Sequence, residues 1–195
     1  MLKATTMTER ESYIIEFCLT TDSTNPVEIA NELMDNDCIR IHGPEHHFLT
    51  AAALAAAYCN AEEMDAFDIR EIFEKLRTRC SQIIPAHCGY YGVCGDVLAA
   101  GAVMSVLLKT THLSKEEWTM TGRMAARCQN ELALLSGPRC CKRTTITTLL
   151  AAVEYINEAM DVTLSSPDKI ICKFKKFNDE CHHYDCSFFS IVNLT

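Results

Sequence analysis

The sequence predicts an all-α protein, a single-domain helical bundle of about six or seven helices with a cysteine-rich carboxy-terminal extension. Three observations indicate this architecture. Apolar residues recur at helical spacing, Pro and Gly fall where the periodic segments end, and two segments, 51–57 and 99–102, are rich in Ala. A chain of 195 residues can bury one core without disulfides, so we expect residues 1–195 to form one domain.

The first helices are predicted from their starts. Residues 9–19 fit a short helix, although residues 13–15 would also suit a strand. Asn25 precedes Pro26, and Pro is favoured at the first helical position, so a helix should run to about residue 34. The next helix should open near Pro44 and continue through the first Ala-rich segment.

The segment 65–83 is predicted to be an amphipathic helix that ends before Pro85. Its expected apolar stripe is Phe67, Ile69, Ile72, Phe73, Leu76 and Cys80. A helix from about 94 to 108 follows, and both Ala-rich helices should be central because small side chains let helices approach closely.

The second half of the chain carries two further helix signals. Ser114 precedes Glu117 by three residues, which is a capping-box pattern. The last long helix should span about 140–160, and the tail after Pro167 is short, mixed and rich in Cys and His. The expected extension therefore follows the bundle.

Charge and hydropathy exclude some functions. The formal net charge of −8 argues against a general nucleic-acid binder. A local basic patch at Arg139, Lys142 and Arg143 is expected to hold an anion. Residues 1–6 show no signal-peptide pattern, and the apolar stretches 48–58 and 93–108 are shorter than the roughly 20 residues of a membrane span. We therefore expect a cytoplasmic protein with neither nucleic-acid nor membrane partners.

Twelve cysteines are unusual for such a protein. In a reducing compartment, cysteines gathered in short motifs are typical of metal ligands or redox thiols, and scattered ones of small buried hydrophobes. Five lie singly and are predicted to pack in the core: Cys18, Cys38, Cys59, Cys80 and Cys128.

Three predicted helices begin in the same way, with a Gly- or Pro-rich turn that places Cys or His in the first turn. The starts are His42-Gly43-Pro44-Glu45-His46-His47, Cys88-Gly89-Tyr90-Tyr91-Gly92-Val93-Cys94-Gly95 and Gly137-Pro138-Arg139-Cys140-Cys141-Lys142-Arg143. A helix amino terminus favours anions, so Cys94, Cys140 and Cys141 are predicted to ionise more readily than a free cysteine. The same field should keep His46 and His47 neutral, the form that binds metal.

A fourth cluster lies in the tail. Cys172 is followed by Cys181 and Cys186, and the last two enclose His182 and His183. Short-range Cys and His pairs of this kind are typical of zinc or iron–sulfur sites, although the spacing matches no standard zinc finger.

Other interpretations of these residues stay open. Cys140 and Cys141 are adjacent, so their side chains should diverge. Either the two serve different partners, or one of them is a packing residue in the core. Cys88 and Cys94 could form a redox disulfide. His42, His46 and His47 could be helix caps or core hydrogen-bonding groups, and Asp96 could be a general base. Motifs for hydrolases, phosphate loops and dinucleotide binding are absent from the sequence.

The three helix starts together with Cys172, Cys181 and Cys186 resemble an uncharacterised cysteine-rich family, a domain of unknown function familiar from methanogens and other anaerobes. There it occurs alone or joined to methyltransferase or radical-enzyme domains. The likeness covers about 40–190 and leaves 1–39 as an amino-terminal extension. Asp96 departs from it, because such sequences tend to have a small residue there. A shorter likeness, through 92–95 and 101–104, is to a redox-active helical family with a Cys-Gly-rich signature.

The resemblance implies anaerobic metabolism, with a methyltransferase, a radical enzyme or another redox protein as partner. The first hypothesis is an electron-transfer protein with an iron–sulfur cluster, ligated from Cys88, Cys94, Cys140, Cys141, Cys172, Cys181 and Cys186. The second is a thiol-dependent enzyme or accessory factor for methyl or sulfur transfer that uses Cys94, Cys140 and Cys141. The third is a structural zinc site. If three helix starts converge in the bundle, the His and Cys motifs should share one pocket.

Overall fold

In a computed structural model, the chain is described over residues 6–137 and 139–190, and those residues form eight α-helices and no strand. The prediction of an all-α fold is confirmed. The helices are α1 (Met7–Cys18), α2 (Pro26–Asp35), α3 (Glu45–Ala61), α4 (Ala66–Cys80), α5 (His87–Tyr91), α6 (Gly95–Leu107), α7 (Glu116–Ala133) and α8 (Cys141–Ala159). Two short 3₁₀ helices follow, Lys175–Phe177 and His183–Asp185.

The Ala-rich helix α3 is the centre of the bundle. It packs against α1, α2, α4, α6 and α8. All ten residues from 48 to 57 are buried, so every face of α3 is covered. The second Ala-rich helix, α6, packs against α3, α4, α7 and α8. Small side chains in these two helices permit the close approach that the sequence predicted.

The helix starts are of two kinds. Side-chain oxygens of Thr6, Asn25 and Asp65 cap α1, α2 and α4 by accepting backbone N–H bonds. In contrast, α3, α6 and α8 follow Pro44, Cys94 and Cys140 and have no such capping oxygen. The three starts that the sequence singled out are thus among the helices without a side-chain cap, and α5 and α7 also lack one.

Two local predictions are wrong. The Ser114–Glu117 capping box does not form, because the Ser114 hydroxyl accepts the Thr111 N–H and α7 begins at Glu116. Phe67 is exposed rather than part of the α4 stripe. It lies five residues before Ile72, which rotates it about 140° away from the buried face.

The scattered cysteines follow their prediction with one exception. Cys18, Cys59, Cys80 and Cys128 are buried in the core, whereas Cys38 lies in a loop and is only partly buried. Residues 160–190 pack back on the bundle instead of extending from it, with Leu164 and Phe174 buried. Of the helices in the described residues, none has the length and apolarity that crossing a membrane requires.

Candidate functional site

The motif cysteines divide between two cavities on either side of the start of α8. We call the first the tail cavity; its cysteines are Cys140, Cys172, Cys181 and Cys186. We call the second the helix-start cavity; its potential ligands are Cys88, Cys94, Cys141, His42, His46, His47, His87 and Asp96. The three helix starts therefore do converge on one pocket, as expected, but the tail cysteines line another. The adjacent Cys140 and Cys141 face different cavities.

Backbone N–H groups point at the sulfurs of the tail cavity. Cys140 occupies the N-cap position of α8, and the N–H groups of residues 142 and 143 donate to its sulfur. The N–H of Phe174 donates to Cys172, and the N–H of His183 lies 3.5 Å from the sulfur of Cys181. A hydrogen bond to sulfur favours the thiolate over the thiol. The chain thus places donors at three of the four tail sulfurs.

Burial nevertheless governs the acidity of the thiols. Burial raises the pKa of Cys140 and Cys172, and it raises the pKa of Cys94 well above its ordinary value. For Cys141, burial and then the nearby Asp96 carboxylate raise the pKa to about 12. The predicted easy ionisation of Cys94, Cys140 and Cys141 is therefore wrong for the metal-free protein, because desolvation outweighs the field of the helix ends.

Three buried cations surround the tail cavity. Lys142 is only 1% exposed, and its Nζ donates to the carbonyls of Met34, at 3.0 Å, and Ile39, at 3.5 Å. Burial lowers the pKa of Lys142 to about 8. Lys175 is also buried and donates to the Ser190 carbonyl. Neither lysine forms an ion pair with a carboxylate among the described residues.

Arg143 is the third buried cation. Its Nη2 donates to three carbonyls, those of residues 136, 137 and 139. Its Nε and Nη1 are buried without a hydrogen-bond partner in the described part of the chain. Arg139, in contrast, is exposed and paired with Glu180 at 2.8 Å. The expected surface patch for an anion is therefore not formed, because Lys142 and Arg143 point inward.

In the helix-start cavity, the two histidines of α3 are neutral and differ in their contacts. His46 Nδ1 donates to the Gly43 carbonyl at 3.1 Å, so Nε2 carries a lone pair, and Nε2 is buried without a partner. Burial, with nearby Lys142, lowers the pKa of His46 to about 3. Burial also lowers the pKa of His47. The sequence predicted neutral imidazoles from the field of the helix end, whereas burial is the main cause of the lowered pKa values.

The ring of His47 lies directly on Gly95. A Cβ added at Gly95 would lie 2.2 Å from His47 Nε2, so only glycine fits at this first position of α6. The Cys94-Gly95 pair of the motif is thus explained in part by packing. Gly95 keeps the α3 and α6 starts together.

Asp96 lies beneath the helix-start cavity and is almost completely buried. Its carboxylate accepts hydrogen bonds from Thr144 at 2.8 Å, Thr50 at 3.2 Å and Thr145 at 3.5 Å, and from the Cys94 thiol at 3.6 Å. Burial raises the pKa of Asp96, whereas the charge of His47 would lower it. In the described chain, no cation forms an ion pair with it.

The model of a family of unknown function, DUF5714, matches residues 14–189. The chain belongs to this family. The match includes α2 and the last five residues of α1, which the resemblance seen in the sequence had left outside the family-like core. No curated protein and no solved structure matches the chain.

Within this DUF5714 chain, Glu45 provides a contrast to Asp96. Glu45 is fully buried, and Arg40 donates to both of its carboxylate oxygens, at 2.9 and 2.5 Å. Burial raises the pKa of Glu45, but opposing contacts outweigh burial and lower this pKa to about 2. The hydrogen bonds from Arg40 are the largest of these opposing contacts. Of the two buried acids in the described residues, Glu45 has a paired cation and Asp96 has none among those residues.

His42 joins the two cavities. Its Nδ1 accepts the Cys141 N–H at 3.4 Å, and its Nε2 donates to the Asn178 side chain at 3.0 Å. Asn178 lines the tail cavity, whereas His42 and Cys141 line the helix-start cavity. His42 is therefore placed as a link between helix α8 and the tail.

The described residues contain no three His, Cys, Asp or Glu side chains arranged closely enough to hold a single metal ion. Sequence reasoning missed two features of the site. It did not identify Thr50, Thr144 and Thr145 as partners of Asp96, and it did not identify His87, whose Nδ1 is buried without a partner. The adjacent pair Thr144 and Thr145 near the start of α8 was the only sequence signal for these partners.

Proposed function

We propose that the chain is an electron-transfer protein whose tail cavity holds an iron–sulfur cluster on Cys140, Cys172, Cys181 and Cys186. One observation carries the proposal. Four cysteines line one cavity, and the buried cations beside it have no carboxylate partner. The bound group would supply one-electron redox chemistry.

The charge of the cavity supports an anionic occupant. A buried cation without a counter-ion is costly, and among the described residues Lys142 contacts two carbonyls and the Phe174 ring while Arg143 contacts carbonyls, with no carboxylate in an ion pair with either. Four thiolates around an iron–sulfur core carry a net negative charge, so they would compensate these cations. Protonated thiols would not.

The N–H groups directed at sulfur provide separate support. Hydrogen bonds to cluster sulfurs are a main means by which proteins set reduction potential. The donors at Cys140, Cys172 and Cys181 come from turns of the local backbone. They would stabilise thiolates when the cluster is bound.

Two considerations favour a cluster over the zinc alternative. Ligands of one zinc ion must converge tightly, and no such group of three lies among the described side chains. A cluster places its own iron and sulfide between the thiolates, so the four sulfurs lie further apart. The thiol-enzyme alternative is less favoured, since burial raises the pKa of each of its candidate nucleophiles.

Anaerobic context and a redox partner remain part of the proposal. An electron-transfer protein requires a second redox protein, and a methyltransferase or radical-enzyme system is the class that the sequence resemblance suggests. The cysteines of the helix-start cavity are not ligands of this cluster, because they line the opposite side of the α8 start.

The experiment is anaerobic purification and reconstitution with iron and sulfide, followed by elemental analysis and visible spectroscopy. Wild type should contain iron with sulfide and show visible charge-transfer absorbance. Cys172→Ser and Cys181→Ser should lose most of both. Cys38→Ser, which lies outside both cavities, is the matched control and should retain them. Zinc without iron in wild type would support the structural zinc alternative, and a colourless metal-free protein would overturn both.

A further inference from the structure

We infer that the tail cavity of the metal-free protein binds one small monovalent anion, of the size of chloride or hydrosulfide, against the buried guanidinium of Arg143. This inference concerns the protein before any cluster is bound, and it does not rest on the proposed electron-transfer function. It also moves the anion site that the sequence predicted. Of the three basic residues expected on the surface, Lys142 and Arg143 are buried and line this cavity instead.

The first support is the set of N–H groups that Arg143 leaves unused. The residue is 3% exposed, and Nη2 alone donates to its three carbonyl partners, those of residues 136, 137 and 139. Nε and Nη1 are buried without a hydrogen-bond partner in the described part of the chain. A buried donor without an acceptor is unfavourable, so an acceptor from solution is needed here. Nε and Nη1 lie on different edges of the planar guanidinium, so one bound ion accepts from one of them.

The second support is the charge around the cavity. Among the described residues, neither Arg143 nor the almost fully buried Lys142 forms an ion pair with a carboxylate. Lys142 donates to two carbonyls, and its Nζ lies 4.5 Å from the centre of the Phe174 ring. Such contacts do not neutralise a charge, and a buried charge without a counter-ion is unfavourable. Water would satisfy the free N–H groups alone, whereas an anion satisfies them and compensates the charge.

The carboxylates that act on Lys142 are paired with other cations. Asp35 and Glu45 both interact electrostatically with Lys142. The Asp35 carboxylate, however, is paired with Lys173, and the Glu45 carboxylate is paired with Arg40. Neither carboxylate lines the tail cavity. The counter-ion for the cavity must therefore come from solution.

The third support is the size of the cavity, which limits the kind of anion. Its volume is about 30 Å³. A space of this volume holds roughly one to two water-sized particles. An anion with a single heavy atom fits, whereas a tetrahedral oxyanion such as sulfate is too large. A cluster also needs more space, so its uptake would move the tail outward and displace the anion.

The test is a chloride titration of the metal-free, reduced protein at constant ionic strength, with gluconate as the bulky replacement anion. Chloride NMR line broadening reports the bound ion directly, and urea unfolding reports the stabilisation that binding produces. We expect broadening that saturates as a single site, together with a rise of the urea midpoint over the same range of chloride concentration. Sodium sulfide, added without oxygen, should compete with chloride and reverse the broadening.

Substitutions of one arginine locate the site. Arg143→Gln should weaken chloride binding at least about tenfold, because a hydrogen bond from a charged donor is lost. Arg143→Lys keeps the charge with a different donor geometry, so it should recover part of the affinity even where Arg143→Gln folds poorly. Arg127→Gln is the matched control, since it removes an exposed arginine that pairs with Glu154 and Glu158, and it should leave the broadening unchanged.

Several outcomes in folded protein overturn the inference. The absence of broadening in wild type does so, and so does an equal loss of broadening in Arg143→Gln and Arg127→Gln. Stabilisation by sulfate equal to that by chloride would indicate a general salt effect instead of a site. Competition by sulfide at concentrations below those of chloride would identify hydrosulfide as the preferred ligand, and the opposite order would identify chloride. Because the sample contains no iron, none of these results depends on whether the protein incorporates a cluster.

Discussion

The two cavities share the first turn of α8 as a wall, yet their unbalanced charges are opposite. The tail cavity has buried cations, Lys142 and Arg143, without a carboxylate, whereas the helix-start cavity has a buried carboxylate, Asp96, without a cation. Both are lined by cysteines. Since cysteine can be a neutral thiol or a thiolate, it is the surrounding fixed charge that determines which occupant is stable.

The difference shows how one dipeptide can serve two sites. Cys140 precedes the helix and turns toward the tail, while Cys141 begins it and turns toward α3 and α6. His42 hydrogen-bonds both the Cys141 N–H and the Asn178 side chain of the tail. A structural change in either cavity would therefore reach the other through this one side chain.

The largest expected effect comes from removing each fixed charge in turn. Lys142→Met should lower the iron retained by the reconstituted protein and lower its reduction potential, because a nearby cation stabilises the reduced, more negative cluster. Asp96→Asn alters the other cavity and should leave both the iron content and the reduction potential unchanged. Elemental analysis measures the iron, and redox titration measures the potential.

Asp96→Asn is therefore the matched control for Lys142→Met, because it changes a buried charge in the cavity that holds no cluster. If both variants lose iron alike, the opposite-charge account of the cavities is wrong. Far-ultraviolet circular dichroism would show whether such a shared loss reflects unfolding.

A smaller effect is expected from two glycines of the same helix. Gly95→Ala should destabilise the protein by about 1–3 kcal/mol, because its Cβ would meet the His47 ring at 2.2 Å. Gly101→Ala is the matched control, since its Cβ would make an ordinary 3.6 Å contact with Ala125. It should be neutral or stabilising by up to about 1 kcal/mol.

Urea unfolding of the two variants measures this difference. Equal destabilisation by both would show that α6 tolerates no added methyl group anywhere, and the special role of Gly95 would be lost. A Gly95→Ala variant as stable as wild type would show that the His47 ring can move aside without cost.

Much of the fold follows from the sequence, because helix periodicity and end signals are local properties. The Ala-rich segments indicated a central pair of helices, and α3 and α6 occupy that position. The prediction that Phe67 is buried was wrong because hydrophobicity alone does not give the face of a helix on which a residue lies. The predicted capping box at Ser114 does not form because the Ser114 hydroxyl accepts the Thr111 N–H instead.

The site was harder to predict than the fold. Motifs correctly grouped the helix starts, since those residues are near in sequence and their helices converge. Whether Cys140 belonged with Cys94 or with Cys172 depended on side-chain direction at a helix end and on the path of residues 160–190, which are long-range properties. The acidity of the thiols was misjudged for a related reason: the helix field is visible in sequence, and burial is not.

The smallest effect uses a core cysteine as a reference for the cavity cysteines. Burial raises the pKa of Cys128 to about 12, and this thiol lines neither cavity. Above pH 9 the unfolded thiol ionises while the folded one holds its proton, so this contribution to stability is lost as pH rises toward 12. Between pH 8 and pH 10, Cys128→Ala should therefore lose about 1 kcal/mol less stability than wild type in urea unfolding. Cavity cysteines held as thiolates by a bound metal would add a slope of the opposite sign, because their unfolded thiols bind protons that the folded thiolates do not. Equal slopes for wild type and Cys128→Ala would contradict this account of the core thiol.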